Sequence, residues 1–148
     1  MRSLAALDAK PINILLVEDD DSDAEAVRRA FESTRIIYRI WRAVDGVDAL
    51  EMLRGTNGKK KAPSPFLLLI DLDLPRMNGI ELLRALRADK ALRHLISFVL
   101  SASRRPDHMK AAYDLNVAGY ICKTAAGRDL LNLVNLVDGY RRAVEAPN

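Results

Sequence analysis

Apolar residues along this chain gather in short continuous runs, and each run gives way to a longer stretch where apolar positions recur every third or fourth residue. The runs are Ile12-Asn13-Ile14-Leu15-Leu16-Val17, Tyr38-Arg39-Ile40-Trp41, Phe66-Leu67-Leu68-Leu69-Ile70, Ile96-Ser97-Phe98-Val99-Leu100 and Ala118-Gly119-Tyr120-Ile121-Cys122. Short and largely without polar alternation, they predict strands buried on both faces, as in a parallel sheet. Ala26, Val27, Ala30 and Phe31 give the first intervening stretch a helical face, with Ser22 as its cap, Glu25 in capping-box position and an end near Thr34. Asp45-Gly46 opens a short second helix with Val47, Leu50 and Leu53 inward. Pro75 and Gly79 lead into a third that carries Ile80, Leu83 and Leu86. Two more follow, around Asp107 to Leu115 and from about Gly127. Five alternations imply an α/β fold: a three-layer, doubly wound, five-stranded parallel sheet of order 2-1-3-4-5. The expected division is a flexible N-terminal leader over 1–11, one domain over 12–145 and a short C-terminal tail over 146–148.

Composition narrows the function classes. A chain of 148 residues, 49% hydrophobic, buries a substantial core without disulfides or a structural metal. Its 23 basic and 20 acidic residues leave a formal charge of only +3. The dense basic run Lys59-Lys60-Lys61 sits among Gly55, Gly58, Pro63 and Pro65 and reads as a solvated loop. No aromatic platform accompanies it, so direct nucleic-acid binding is not expected. The single Cys122 cannot form an intramolecular disulfide, and neither a signal peptide nor a long apolar span is evident, so a cytoplasmic protein without membrane contact is expected. The glycines form neither a Walker loop nor a dinucleotide fingerprint. His94 and His108 lack zinc-ligand spacing, and Cys122 reads as a packed side chain rather than a redox nucleophile.

The candidate chemistry lies at the strand ends. Glu18 and Asp19 follow the first strand, Asp71 the third, Ser101 the fourth and Lys123 the fifth. In a parallel sheet these positions converge on one edge, where doubly wound folds bind ligands. Clustered carboxylates repel one another, and a hard divalent cation such as Mg²⁺ offsets that repulsion. Asp71 can then act as a nucleophile that accepts a phosphoryl group as an acyl phosphate, with Lys123 as a cationic contact and Ser101 as a hydroxyl donor. Each residue taken singly also suits a turn, a cap or a surface charge; their ordered placement after successive strands carries the functional reading.

Leu16-Val17-Glu18-Asp19-Asp20, Leu69-Ile70-Asp71-Leu72-Asp73-Leu74-Pro75-Arg76-Met77-Asn78-Gly79, Leu100-Ser101-Ala102 and Gly119-Tyr120-Ile121-Cys122-Lys123 together resemble the defining segments of bacterial two-component response-regulator receiver domains, over about Ile12 to Arg142. The resemblance implies the flavodoxin-like fold, Glu18 and Asp19 as the acidic metal pair, Asp71 as phosphoacceptor and metal ligand, and the backbone carbonyl at Asp73 as a further ligand. It also implies Ser101 and Tyr120 as switch residues, Lys123 as the family's lysine, and Mg²⁺ as cofactor with Mn²⁺ as a substitute. Asp71, Ser101 and Lys123 would then support self-catalysed phosphotransfer and slow autodephosphorylation, which is not conventional metabolic catalysis. Thr124 departs from the family, which commonly has proline there after a cis peptide.

The long segment between Leu53 and Phe66, the Lys123-Thr124 junction and Ser101-Ala102-Ser103 resemble stand-alone receivers that serve phytochrome histidine kinases. The implied partners are a histidine kinase, with a bacteriophytochrome as candidate, and a downstream phosphotransfer protein. A homodimer through helices four and five is expected, because Leu131 and Leu136 flank the apolar stripe Leu130, Leu133, Val134, Val137, Tyr140 and Val144. The chain ends soon after helix five, so no DNA-binding domain is expected. The competing readings are a Mg²⁺-dependent phosphomonoester hydrolase with an Asp nucleophile and a non-phosphorylated interaction module on the same scaffold.

Overall fold

The computed structural model describes residues 11–63, 66–123 and 126–143. Among these, β1 (Ile12–Val17), β2 (Tyr38–Ala43), β3 (Phe66–Ile70), β4 (Ile96–Ser101) and β5 (Gly119–Cys122) alternate with α1 (Asp21–Glu32), α2 (Gly46–Arg54), α3 (Gly79–Ala88), α4 (Pro106–Asp114) and α5 (Ala126–Ala143). All strand pairs are parallel and the order is β2-β1-β3-β4-β5, as the strand pattern predicts. Residues 1–10 of the expected leader, Thr124, Val144 and the expected tail over 146–148 lie outside the described residues, as does the side chain of Tyr140.

Strand periodicity sorts the core into two layers. Leu15, Val17, Leu68, Ile70 and Val99 face α2, α3 and α4, where Leu50, Leu53, Leu82, Leu83 and Leu86 meet them. Ile14, Leu16, Leu67 and Leu69 face α1 and α5, packing with Val27, Phe31, Leu130, Leu133 and Val134. Each fully buried side chain of this size stabilises the fold by about 1.5–3 kcal/mol, so both helical layers are required to cover the sheet. The α5 stripe is buried at Leu130, Leu133, Val134 and Val137, while Leu131 and Leu136 are 44% and 57% exposed.

The helix boundaries depart from the expected ones in instructive ways. Helix α1 is capped by Asp20, whose side chain accepts from Asp23 N–H at 2.8 Å, and Ser22 lies in its first turn. Asp20 has the extended backbone a cap needs, and its carboxylate also suits the positive end of the helix dipole. The helix ends at Glu32, and the Thr34 hydroxyl then turns back to the Phe31 carbonyl. Strand β2 continues beyond Trp41 to Ala43, and β4 includes Ser101. Val47 and Ile80 are half-buried, with Ala49 and Leu82 occupying the deeper positions. At the opposite edge from the acidic strand ends, Arg87 donates to the carbonyls of Leu115, Arg93, Leu95 and Asn116, fastening the α3–β4 and α4–β5 connections together.

Candidate metal and phosphoacceptor site

Sheet hydrogen bonding continues just past the strands and fixes the acidic residues. Glu18 N–H donates to the Ala43 carbonyl at 2.9 Å and Asp71 N–H to the Val17 carbonyl at 3.0 Å. Glu18, Asp71 and Ser101 are 1%, 6% and 2% exposed, and such buried polar groups need partners. Lys123 supplies one: its Nζ lies 2.5 Å from Glu18 Oε1, 3.1 Å from Asp71 Oδ2 and 2.8 Å from Asp23 Oδ2. Asp23 was not legible as a site residue, because only the docking of α1 brings it to a lysine one hundred positions away.

Asp19 is exposed, yet ligand oxygens of Glu18, Asp19 and Asp71 all lie within 4.8 Å of one another. Three hard oxygen donors so close together fit a divalent cation of the Mg²⁺ or Mn²⁺ type. Burial, reinforced by the charge of Asp71, raises the Glu18 carboxyl to about 7, with Lys123 opposing it only in part. Burial alone would lower Lys123, but its hydrogen bonds to Asp23 and Glu18 and the charge of Asp71 outweigh it and hold the ammonium above the ordinary lysine value.

The loop after β3 turns tightly around Asp71. Asp73 N–H donates to Asp71 Oδ1 at 3.2 Å, and the Asp73 side chain is exposed. Gly79 N–H donates to the Leu72 carbonyl at 3.0 Å, and a Cβ at Gly79 would lie 2.7 Å from the Leu72 Cα. Glycine is therefore needed there because a backbone passes, and the turn it permits keeps the Asp71 carboxylate at the mouth of a cleft of about 720 Å³.

On the other side of that cleft, Ser101 Oγ accepts from Ser103 N–H at 3.2 Å. The Ser103 carbonyl accepts from the Tyr120 hydroxyl at 2.8 Å, and Ser103 Oγ lies 2.6 Å from His108 Nδ1. Ser103 thus links the two residues expected to act as the switch, and its hydroxyl ties the loop to His108 in α4, a contact that the spacing of the two did not signal. A second cleft, about 480 Å³, runs between α4, β5 and α5 past Met109, Tyr120, Cys122 and Asn132.

An open doubly wound sheet with a carboxylate cluster, a hydroxyl and a lysine at its carboxyl edge defines the receiver class of signalling domain. Residues 14–135 match the model of the response regulator receiver domain, and the chain belongs to that family. It is accordingly a response regulator, with a divalent cation site and a kinase as phosphodonor partner. It is similar to the response regulator Rcp1 of Synechocystis sp., with 30% identity over 130 residues, 88% of each chain. In structure it is similar to the Mn²⁺-bound form of Rcp1, with a TM-score of 0.80 and 29% identity over 93% of this chain and 100% of that one. The phosphorylated cyanobacterial phytochrome response regulator RcpA gives the same TM-score and identity, covering 93% of this chain and 98% of its own. The bacteriophytochrome response regulator AtBRR follows at TM-score 0.74 and 27% identity, covering 95% and 99%. Among the described residues no helix is long and apolar enough to cross a membrane.

Proposed function

We propose that Asp71 is the phosphoacceptor of a single-domain response regulator that takes its phosphoryl group from a phytochrome-type histidine kinase in the cytoplasm, in a Mg²⁺-dependent reaction for which Mn²⁺ can substitute. The observation that carries this reading is the contact of the Lys123 ammonium with Asp71 and Glu18 together, at the buried ends of β3 and β1. In the proposed step an Asp71 carboxylate oxygen attacks phosphorus of the donor phosphohistidine. The O–P bond forms as the P–N bond breaks, and the departing imidazole takes up a proton from solvent. Lys123, now shared among three carboxylates, can turn an N–H toward a phosphoryl oxygen and stabilise the charge that gathers there. Glu18, Asp19, Asp71 and the Asp73 carbonyl would hold the cation, whose charge, when bound, lowers the repulsion between the carboxylate and the incoming phosphoryl oxygens.

Readout follows from the loop after β4. The Ser101 hydroxyl accepts from Ser103 N–H and keeps its own proton to donate. Its movement toward a phosphoryl group draws Ser103 with it, and Tyr120 follows through the Ser103 carbonyl. That motion reaches the α4–β5–α5 surface, where Leu136 is 57% and Tyr113 49% exposed beside the groove lined by Met109 and Asn132. A homodimer through α4 and α5 covers these side chains, and a downstream phosphotransfer protein is the proposed recipient of the signal. The kinase assignment draws support from the phytochrome and bacteriophytochrome response regulators among the similar structures. Transfer from a phosphohistidine-labelled bacteriophytochrome kinase tests it. Label should pass to the wild type and not to Asp71→Asn, and labelling of both would overturn the assignment of Asp71.

A further inference from the structure

The corner between β2 and α2 contains none of the proposed cation ligands, yet it holds both loops that do. On the first loop, Glu18 N–H bonds to the Ala43 carbonyl at 2.9 Å, and Arg42 Nε donates to the Glu18 carbonyl at 3.0 Å. Arg42 Nη1 also reaches Asp21 Oδ1 at 2.8 Å, so one arginine spans the acidic turn from its start to the first residue of α1. On the second loop, Arg76 forks onto Asp45, with Nε 2.6 Å from Oδ2 and Nη2 3.1 Å from Oδ1. Beside the fork, Gly46 N–H donates to the Met77 carbonyl at 3.0 Å, an approach that a Cβ at Gly46 would block at 2.7 Å.

Two features mark the fork as more than a surface ion pair. Asp45 is 3% exposed and already caps α2 by accepting from Asp48 N–H at 2.8 Å, so its carboxylate has a fixed position. Arg76 has φ +58°, a left-handed conformation that suits glycine or asparagine better than arginine. The backbone therefore gives no reason for an arginine there, whereas a planar guanidinium is the group that grips a carboxylate at two points. Arg76 stands three residues beyond Asp73, and between them the buried Leu74 gives the loop a second anchor. With Asp71 fixed by the sheet at one end and Arg76 by Asp45 at the other, little freedom remains for the backbone at Asp73.

We infer that the β2–α2 corner positions the divalent-cation site by tying both ligand-bearing loops to itself, and that Arg76 is the positioning residue for the β3–α3 loop through its fork on Asp45. The inference rests on the phosphoacceptor reading above and adds to it the residues that set cation affinity. Arg76 touches neither cation nor phosphoryl group in this role; it limits where the Asp73 carbonyl can be. Loss of the fork should therefore weaken cation binding without altering the transfer step once the cation is bound.

Calorimetric titration with Mg²⁺, paired with phosphorylation by a small phosphodonor over a Mg²⁺ series, tests this in the intact chain. Arg76→Gly relieves the left-handed backbone but leaves the buried Asp45 carboxylate without its cation, so the unfolding temperature should fall while the protein stays folded under assay conditions, and its Mg²⁺ affinity should fall about tenfold, as for other residues that orient metal ligands. Its phosphorylation rate should return to the wild-type value at saturating Mg²⁺. Arg76→Lys keeps the charge but not the fork and should bind nearly as weakly as the glycine variant. Asp45→Asn, which retains an oxygen to cap α2, should weaken Mg²⁺ to the same degree, and the double variant Asp45→Asn/Arg76→Gly should be no weaker than either single one. Wild-type Mg²⁺ affinity in Arg76→Gly and Asp45→Asn would overturn the inference, as would a rate deficit that saturating Mg²⁺ does not remove. A wild type that neither binds Mg²⁺ nor accepts phosphoryl would instead remove the phosphoacceptor reading, a result distinct from failure of the tie.

Discussion

Replacing Arg87 with methionine should destabilise the domain strongly while leaving the acidic cleft intact. Methionine keeps much of the apolar stem and removes the guanidinium, which donates to four carbonyls: Leu115 at 2.7 Å, Leu95 at 2.8 Å, Arg93 at 2.9 Å and Asn116 at 3.2 Å. Burial lowers the pKa of this arginine, because its charge is partly removed from water. The bonds to Arg93 and Asn116 lie at the surface, where water replaces them at little cost. The bonds to Leu115 and Leu95 are partly buried, and a hydrogen bond to a charged donor is worth about 1.5–3 kcal/mol. Two such bonds, less the burial cost recovered when the charge is removed, give a net loss of about 3 kcal/mol. For a domain of this length, 1 kcal/mol moves the midpoint by about 2–4 °C, so scanning calorimetry should show a fall of about 6–12 °C. Arg87→Lys should fall roughly half as far, because an ammonium cannot serve both connections at once. Mg²⁺ affinity should not change. A midpoint within about 2 °C of wild type for Arg87→Met would refute the view that this side chain fastens the two connections.

Four other outcomes are expected. With Glu18 raised to about 7, a cation displaces a proton at pH 6 but almost none at pH 8. Mg²⁺ affinity measured by calorimetry should thus rise about tenfold between those pH values, and a flat profile would contradict the shift. The same shift makes the cation-free fold lose stability as pH climbs from 4.5 toward about 7, because the unfolded carboxyl ionises first. Asp73→Asn removes an exposed carboxylate at the cleft mouth, where it both repels anions and can orient hydrolytic water, so acyl phosphate lifetime should change; matched loss rates in the two proteins would refute it. Leu136→Glu should leave the fold intact and abolish the proposed self-association through α4 and α5 in sedimentation runs over a concentration series. A wild type monomeric throughout, or an oligomer unchanged by the substitution, would refute the proposed interface.

What could be read in advance follows from what a strand encodes locally. The apolar runs that end in Glu18, Asp71, Ser101 and Lys123 carry both the sheet and the carboxyl-edge position of the site, so fold and cleft were legible together. The α5 stripe was legible for the same reason, since 100° per residue sorts Leu130 and Leu133 inward and Leu131 and Leu136 to the flanks. Contacts between separate elements were not. Asp23 looks like an ordinary acidic residue in a first helical turn until Lys123 arrives, and Arg76 looks like a loop charge until its backbone turns left-handed and presents it to Asp45. Ser22 with Glu25 has capping-box spacing and so points to a cap for α1 two residues too late. The chain leaves its extended path two residues earlier, at Asp20, and the carboxylate there serves as the cap.

The central claim is that Asp71 carries the phosphoryl group. Incubating the protein with a small phosphodonor, with Mg²⁺ or with chelator, and then reducing it with borohydride converts an aspartyl phosphate to homoserine, which peptide mass mapping locates. Homoserine is expected at position 71 in the Mg²⁺ sample alone, and none anywhere in folded Asp71→Asn. Homoserine at another aspartate of the wild type, or modification independent of the cation, would contradict it.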